Sequence, residues 1–250
     1  MSEKPTRVRA LNFKGPLATA EILFAVADAA TVPVSDVTVS RDFRDAASPT
    51  VFGMGIERGT IDHDHAYHVI TRGSNRGPLA WDAYDFESLS GELDKAATRH
   101  RWNVLSWCFL HNHYHVIVRT PDGGFSDGFH VMNGTHARRT NRRHGRTDHL
   151  FRNRPRAYEL GSEAYLVTAL LYVARNPVAA GVCDDPAQWP FASYRALVGA
   201  AKAKPWLVAE EVLRLFGSDM DQARIEFGRL VRSGHLPSSD DEWETFAFNP

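Results

Sequence analysis

Apolar and polar positions alternate most sharply between residues 65 and 119. His65-Ala66-Tyr67-His68-Val69-Ile70-Thr71-Arg72 has the period of a strand, and Gly73-Ser74-Asn75-Arg76-Gly77-Pro78 breaks it as a loop. From Asp85 to Ala97 the period becomes helical, with Phe86, Leu89 and Leu93 on one side. Trp102 to Phe109 predicts a second strand. After a tight turn, Leu110 to Arg119 predicts a third, rich in β-branched residues. Strand, helix, strand, strand predicts an α+β fold, an antiparallel sheet with helices on one face.

The rest reads mainly as helix. One helix is expected over Phe129 to Arg143. A second begins at Ser162 as N-cap, and Pro177 predicts its end near Asn176. Stepping about 100° per residue gives this helix two sides. Leu166, Val167, Leu170, Leu171 and Ala174 form an apolar stripe; Tyr165, Thr168, Tyr172 and Asn176 line the opposite side. Trp189 to Tyr194 is an aromatic segment expected to pack on the sheet. Beyond a linker at Lys202 to Pro205, residues 206–234 predict a helical tail, and the acidic end after it is expected to be loose. Before the first strand, residues 18–37 have the outline of a helix-turn-helix, a shape shared by DNA-binding segments and by small packing additions. Residues 41–60 read as linker. The chain therefore divides into an N-terminal extension (1–60), a central domain (61–200) and a helical C-terminal tail (201–250).

Composition changes this picture little. A hydrophobic fraction of 43% over 250 residues suits a folded chain, and no apolar run is long enough to span a bilayer. The first residues lack the apolar core of a signal peptide, so cytoplasmic residence is expected. Cys108 and Cys183 are expected as buried thiols.

Charge changes it more. The net charge is −1, but eight arginines and no lysine crowd residues 136–156: Arg138, Arg139, Arg142, Arg143, Arg146, Arg152, Arg154 and Arg156. Guanidinium forks match phosphate oxygens and stack on bases, so this block predicts contact with nucleic acid. A merely solvated face fits less well, because only Asp148 offsets the charge and Leu150-Phe151 sit inside the run.

His111, His113 and His115 fall at every second position. On an unbroken strand all three imidazoles share one face, and two such neighbours can grip a divalent ion. The other reading is a surface strand with polar histidines. Tyr172 and Asn176 lie about one helical turn apart; helix geometry allows either a surface tyrosine beside a capping asparagine or a functional pair.

Together these pieces resemble a known family. Asn112-His113-Tyr114-His115 resembles the histidine–bulky residue–histidine motif of HUH endonucleases. The ordered set resembles, more closely, the REP-associated tyrosine transposases, relatives of the single-tyrosine, IS200-like transposases. It comprises Tyr67 to Gly73, Trp107 to Val118, Asn133 to Thr135, Arg142 to Arg146, His149 to Phe151, Tyr172 to Gly181 and Trp189 to Tyr194, spanning about residues 61–200. The resemblance implies a ferredoxin-like HUH core. It implies that His113, His115 and Asn176 hold Mg²⁺ or Mn²⁺ and that Tyr172 is the nucleophile. It also implies single-stranded DNA carrying a hairpin as substrate, cut through a 5′-phosphotyrosine, by a monomer or a homodimer. The chain departs from the family at His111, where proline is usual, and residues 1–60 have no counterpart. Two other functions stay open: a hairpin-binding protein that no longer cuts, and a hydrolase built on His111, His113 and His115.

Overall fold

The computed structural model describes residues 51–52, 62 and 64–233. The suggested helix-turn-helix and the acidic end lie outside these residues. Five strands form one antiparallel sheet in the order β1-β5-β2-β4-β3. They are β1 (Val51–Phe52), β2 (Tyr67–Arg72), β3 (Asn103–Phe109), β4 (His113–Arg119) and β5 (Arg156–Glu159). The helices are α1 (Ala83–His100), α2 (Phe125–Arg143), α3 (Glu163–Ala179), α4 (Tyr194–Leu197), α5 (Ala209–Arg214) and α6 (Met220–Ser233).

The expected α+β antiparallel architecture is present, but the helices cover both faces of the sheet rather than one. Tyr67, Val69, Tyr114, Val116 and Val118 pack with Leu89, Leu93, Phe129 and Met132 of α1 and α2. Their strand neighbours Ile70, Ile117, Leu105, Cys108 and Tyr158 pack with α3, α4, α5 and α6. A strand apolar at both odd and even positions, such as Tyr67 to Ile70, needs a cover on each side.

Local chemistry sets the ends of the elements. Asp82 caps α1 by accepting from Asp85 N at 3.1 Å, and Ser162 caps α3 as expected by accepting from Tyr165 N at 3.2 Å. Helix α2 starts at Phe125, a turn earlier than expected. Gly128 is tolerated there because a Cβ would lie 2.2 Å from the Trp102 ring, so only glycine lets the helix approach. Helix α3 runs on through Pro177 to Ala179 instead of ending at Asn176. Ala180 N donates to Asn176 O at 2.9 Å and closes the turn across the proline.

Strand β5 was not anticipated. Arg156-Ala157-Tyr158-Glu159 is too short to show a period, with its two central residues both buried, and it lies at the end of the arginine run. Strand β4 begins at His113, so the preceding His111 lies in the turn. Among the described residues, no helix is long and apolar enough to cross a membrane.

Candidate active site

The opening of β4 at His113 separates the three histidines. His113 and His115, two apart on the strand, share the face beneath α3. His111 is exposed in the turn, where its carbonyl accepts from Leu79 N at 2.6 Å. No cluster of three or more His, Cys, Asp or Glu side chains placed to hold a metal occurs among the described residues. Tyr114, between the two histidines, points to the other face and donates to Asn133 Oδ1 at 2.8 Å. Burial pushes its phenol well above the ordinary range, so it stays protonated.

Helix α3 supplies the other half. Asn176 Oδ1 lies 3.2 Å from His113 Nε2, and Asn112 Oδ1 lies 2.7 Å from His113 Nδ1. The His113 and His115 rings are perpendicular, at 86°, with centroids 5.1 Å apart. Tyr172 stands edge-on to His115, with centroids 5.5 Å apart. Thus His113, His115, Tyr172 and Asn176 come together. The stripe of α3 that carries Tyr172 and Asn176 faces inward, not away from the core: Tyr172 is 1% exposed and Asn176 4%. The helix is enclosed on both sides, by the sheet on one and by α6 on the other.

One participant escaped the sequence reading. His68 Nε2 lies 2.9 Å from His115 Nδ1, and the His68 ring also meets Tyr172, at 6.1 Å between centroids. The register explains how. Ile70 pairs with His115 and His68 pairs with Ile117, so His68 is the diagonal neighbour of His115 on the same face. A contact at His115 Nδ1 makes Nε2 the nitrogen that would face a cation.

The donor set fits a divalent cation. Both His113 nitrogens face amide oxygens. With Nδ1–H donating to Asn112, the Nε2 lone pair and Asn176 Oδ1 are two acceptors aimed at each other, an arrangement a shared cation resolves. Two imidazoles and an amide oxygen leave the rest of the coordination sphere to phosphate and water.

The arginine block divides in two. Arg143 binds Asp82 and Asp85 through both amino groups, at 2.5 and 2.7 Å, and Arg139 binds Glu92 at 2.8 Å. These two tie α2 to α1, and the Arg143 guanidinium holds the Asp82 carboxyl below its usual range. Arg138 reaches Thr135 Oγ1 at 3.0 Å, Arg142 is exposed, and Arg146 stacks over the Trp81 ring. Arg152, Arg154 and Arg156 lie elsewhere. With Arg72, Asn153 and Ile70 they line a depression. Arg156 pairs with Ile70 and Arg72 pairs with His113, so both arginines share the face of the histidine pair.

Comparison with known proteins bears on this arrangement. Residues 62–176 match the family model described as transposase, IS200-like. This stretch is similar to the IS200-like transposases. The match opens just before β2 and ends at Asn176, so the matched segment contains all five of His68, His113, His115, Tyr172 and Asn176. Among solved structures, the chain is similar to a REP-associated tyrosine transposase bound to a REP hairpin. The two share 17% identity with a TM-score of 0.49, covering 59% of this chain and 86% of the other. No curated protein sequence matches the chain.

Proposed function

We propose that this chain cleaves and rejoins single-stranded DNA beside a hairpin, through covalent attachment to Tyr172. The observation that carries this reading is the meeting of α3 with β4: Tyr172 stands against His115, and Asn176, one turn on, against His113. A divalent cation, Mg²⁺ or Mn²⁺, would be held by His113, His115 and Asn176, and when bound it would supply charge neutralisation at the scissile phosphate.

The chain's own groups do the rest. The Tyr172 oxygen loses its proton and attacks phosphorus in line. An O–P bond to tyrosine forms, the P–O3′ bond breaks, and the 3′-oxygen takes a proton and leaves as a hydroxyl. A 3′-hydroxyl attacking the phosphotyrosine reverses the step and returns the phenol. His68 orients His115 throughout and is a positioning residue. Arg72, Arg152, Arg154 and Arg156, beside the histidine pair, hold the phosphate chain, which favours binding that weakens as salt rises.

Full-length protein incubated with a labelled single-stranded hairpin and Mn²⁺ should give a covalent adduct that survives denaturation. The adduct should vanish in Tyr172→Phe while hairpin binding persists. One observation favours a second reading. Tyr172 is 1% exposed, so a phosphate reaches its hydroxyl only after neighbouring side chains yield. Hairpin binding with no adduct under any divalent metal would favour a protein that holds hairpin DNA without cutting it.

A further inference from the structure

Arg72 is the residue that the histidine pair and the arginine-lined depression share. On one side it pairs with His113 across β2 and β4, so the two side chains rise from the same face with Cβ atoms roughly 4.5–5.5 Å apart. On the other side it lines the depression with Arg152, Asn153, Arg154 and Arg156. A phosphate chain lying in that depression and continuing to His113 passes Arg72 on the way.

These arginines are not alike. Arg152, Arg154 and Arg156 are exposed, in the loop before the short strand β5 or at its first residue. Arg72 is half-buried and closes β2, which has β4 on one side and β5 on the other. An exposed guanidinium is screened by water and salt. One partly withdrawn from water acts more strongly on a neighbouring charge.

The backbone at Arg72 is fixed from both sides. Its carbonyl accepts from Arg152 N at 2.9 Å, and the next residue, Gly73, donates from N to Asn112 O at 2.8 Å. Gly73 also pairs with Phe151 in an isolated bridge. Ser74 N donates to Leu150 O at 2.9 Å as the chain enters the 3₁₀ turn Ser74–Arg76. Asn112 Oδ1 is the atom that faces His113 Nδ1 at 2.7 Å. Asn112 thus anchors the backbone beside Arg72 and the ring of His113 together. A donor held in place before the substrate arrives needs no rearrangement when charge develops.

Attack on phosphorus loads charge onto the non-bridging oxygens, and a guanidinium fork spans two such oxygens where an ammonium cannot. We propose that Arg72 is a catalytic residue. Its guanidinium donates to the non-bridging oxygens of the scissile phosphate while the O–P bond to Tyr172 forms and the P–O3′ bond breaks. Arg72 keeps its own protons throughout. Arg152, Arg154 and Arg156 hold the neighbouring phosphates. This rests on the function proposed above and gives Arg72 a part in the chemical step rather than in holding the strand.

The test separates rate from affinity. Full-length wild type, Arg72→Ala and Arg72→Lys are compared in single-turnover formation of the Tyr172 adduct, with Mn²⁺ and a saturating labelled hairpin. Arg72→Ala should lower the rate on the order of 10²–10³-fold, the effect of removing one donor to a developing oxyanion. Its hairpin affinity in EDTA should fall by no more than about tenfold, the share of one phosphate contact among several. Mn²⁺ affinity, read by calorimetry, should stay at the wild-type value. Arg72→Lys guards against an alanine variant that fails to fold, and it should still lose at least about tenfold in rate, because it lacks the fork. Either variant, with a wild-type melting temperature and a wild-type rate at saturation, overturns the inference. A loss of Mn²⁺ affinity that parallels the loss of rate also overturns it, since Arg72 would then act through His113. Two variants that both fail to fold would make Arg72 structural and overturn it as well. All of these leave the proposed cutting standing. A wild type that binds the hairpin but forms no adduct overturns the cutting, and this inference with it.

Discussion

His68 Nε2 stands 2.9 Å from His115 Nδ1, and both rings meet Tyr172. A ligand imidazole held through its second nitrogen keeps its tautomer and its aim, and loss of such a partner commonly costs 10–100-fold in metal affinity. His68→Ala is therefore expected to weaken Mn²⁺ binding by about that factor, read by calorimetric titration. His68→Gln, which keeps a hydrogen-bonding group on β2, should recover part of the loss. Equal Mn²⁺ affinity in wild type and His68→Ala would remove His68 from the site.

Arg143 and Arg154 should respond in opposite ways. Arg143 closes an ion pair on Asp85, whose carboxylate is 2% exposed and also meets His144 at 2.8 Å. Arg143→Ala leaves that carboxylate short of a cation, so thermal stability should fall while the salt dependence of DNA binding stays put. Arg154→Ala should leave the melting temperature unchanged and lower the salt slope by about 0.7 for the phosphate contact it loses. Melting curves and binding at several salt concentrations separate the two.

His136 should make stability pH-dependent. It is fully buried, and its Nε2–H donates to Leu79 O at 2.8 Å. Burial pushes its pKa below the ordinary value of 6.5. The folded state therefore takes up the proton less readily than the unfolded one. As pH falls below about 6.5, the unfolded chain binds a proton first and stability declines, by at most about 1.4 kcal/mol per pH unit. The decline continues down to the folded-state pKa. Denaturant melts between pH 7.5 and 5 should show it, and His136→Gln should flatten that part of the curve; an unchanged slope in the variant would rule His136 out.

Gly73 is required by its surroundings rather than by its own torsions. A Cβ there would lie 1.9 Å from Gly77 O, against backbone that closes the 3₁₀ turn. Gly73→Ala must displace that turn. The expected result is a lower melting temperature, roughly 2–4 °C for each kcal/mol lost in a chain of this size. A melting temperature equal to wild type would show that the turn yields freely.

His113, His115, Tyr172 and Asn176 were legible because each pair belongs to one element. His113 and His115 are two apart on a strand; Tyr172 and Asn176 are four apart on a helix. Those spacings fix a shared face without any knowledge of tertiary structure. His68 was not legible, since its place depends on a cross-strand register that no local pattern encodes. The direction in which Tyr172 points was misread for a related reason. A helix covered on both sides has no wet face, so the contrast between apolar and polar stripes says nothing about which one meets the sheet. The two-sided cover of β2 was visible in principle, because Val69 and Ile70 are adjacent and both apolar. Strand β5 was masked by the charge around it, although Ala157 and Tyr158 are both buried.

The parts of this site are far apart along the chain. The His68–His115 contact spans 47 residues, and the His113–Asn176 contact spans 63. Closing such loops is slow compared with forming a helix or a hairpin. A chain emerging from the ribosome, N-terminus first, has its histidine pair long before it has its tyrosine. Until α3 docks, neither half faces its complement. Under the proposed function the chain is in this way inert during its own synthesis, and any product truncated ahead of residue 163 lacks Tyr172, the proposed nucleophile.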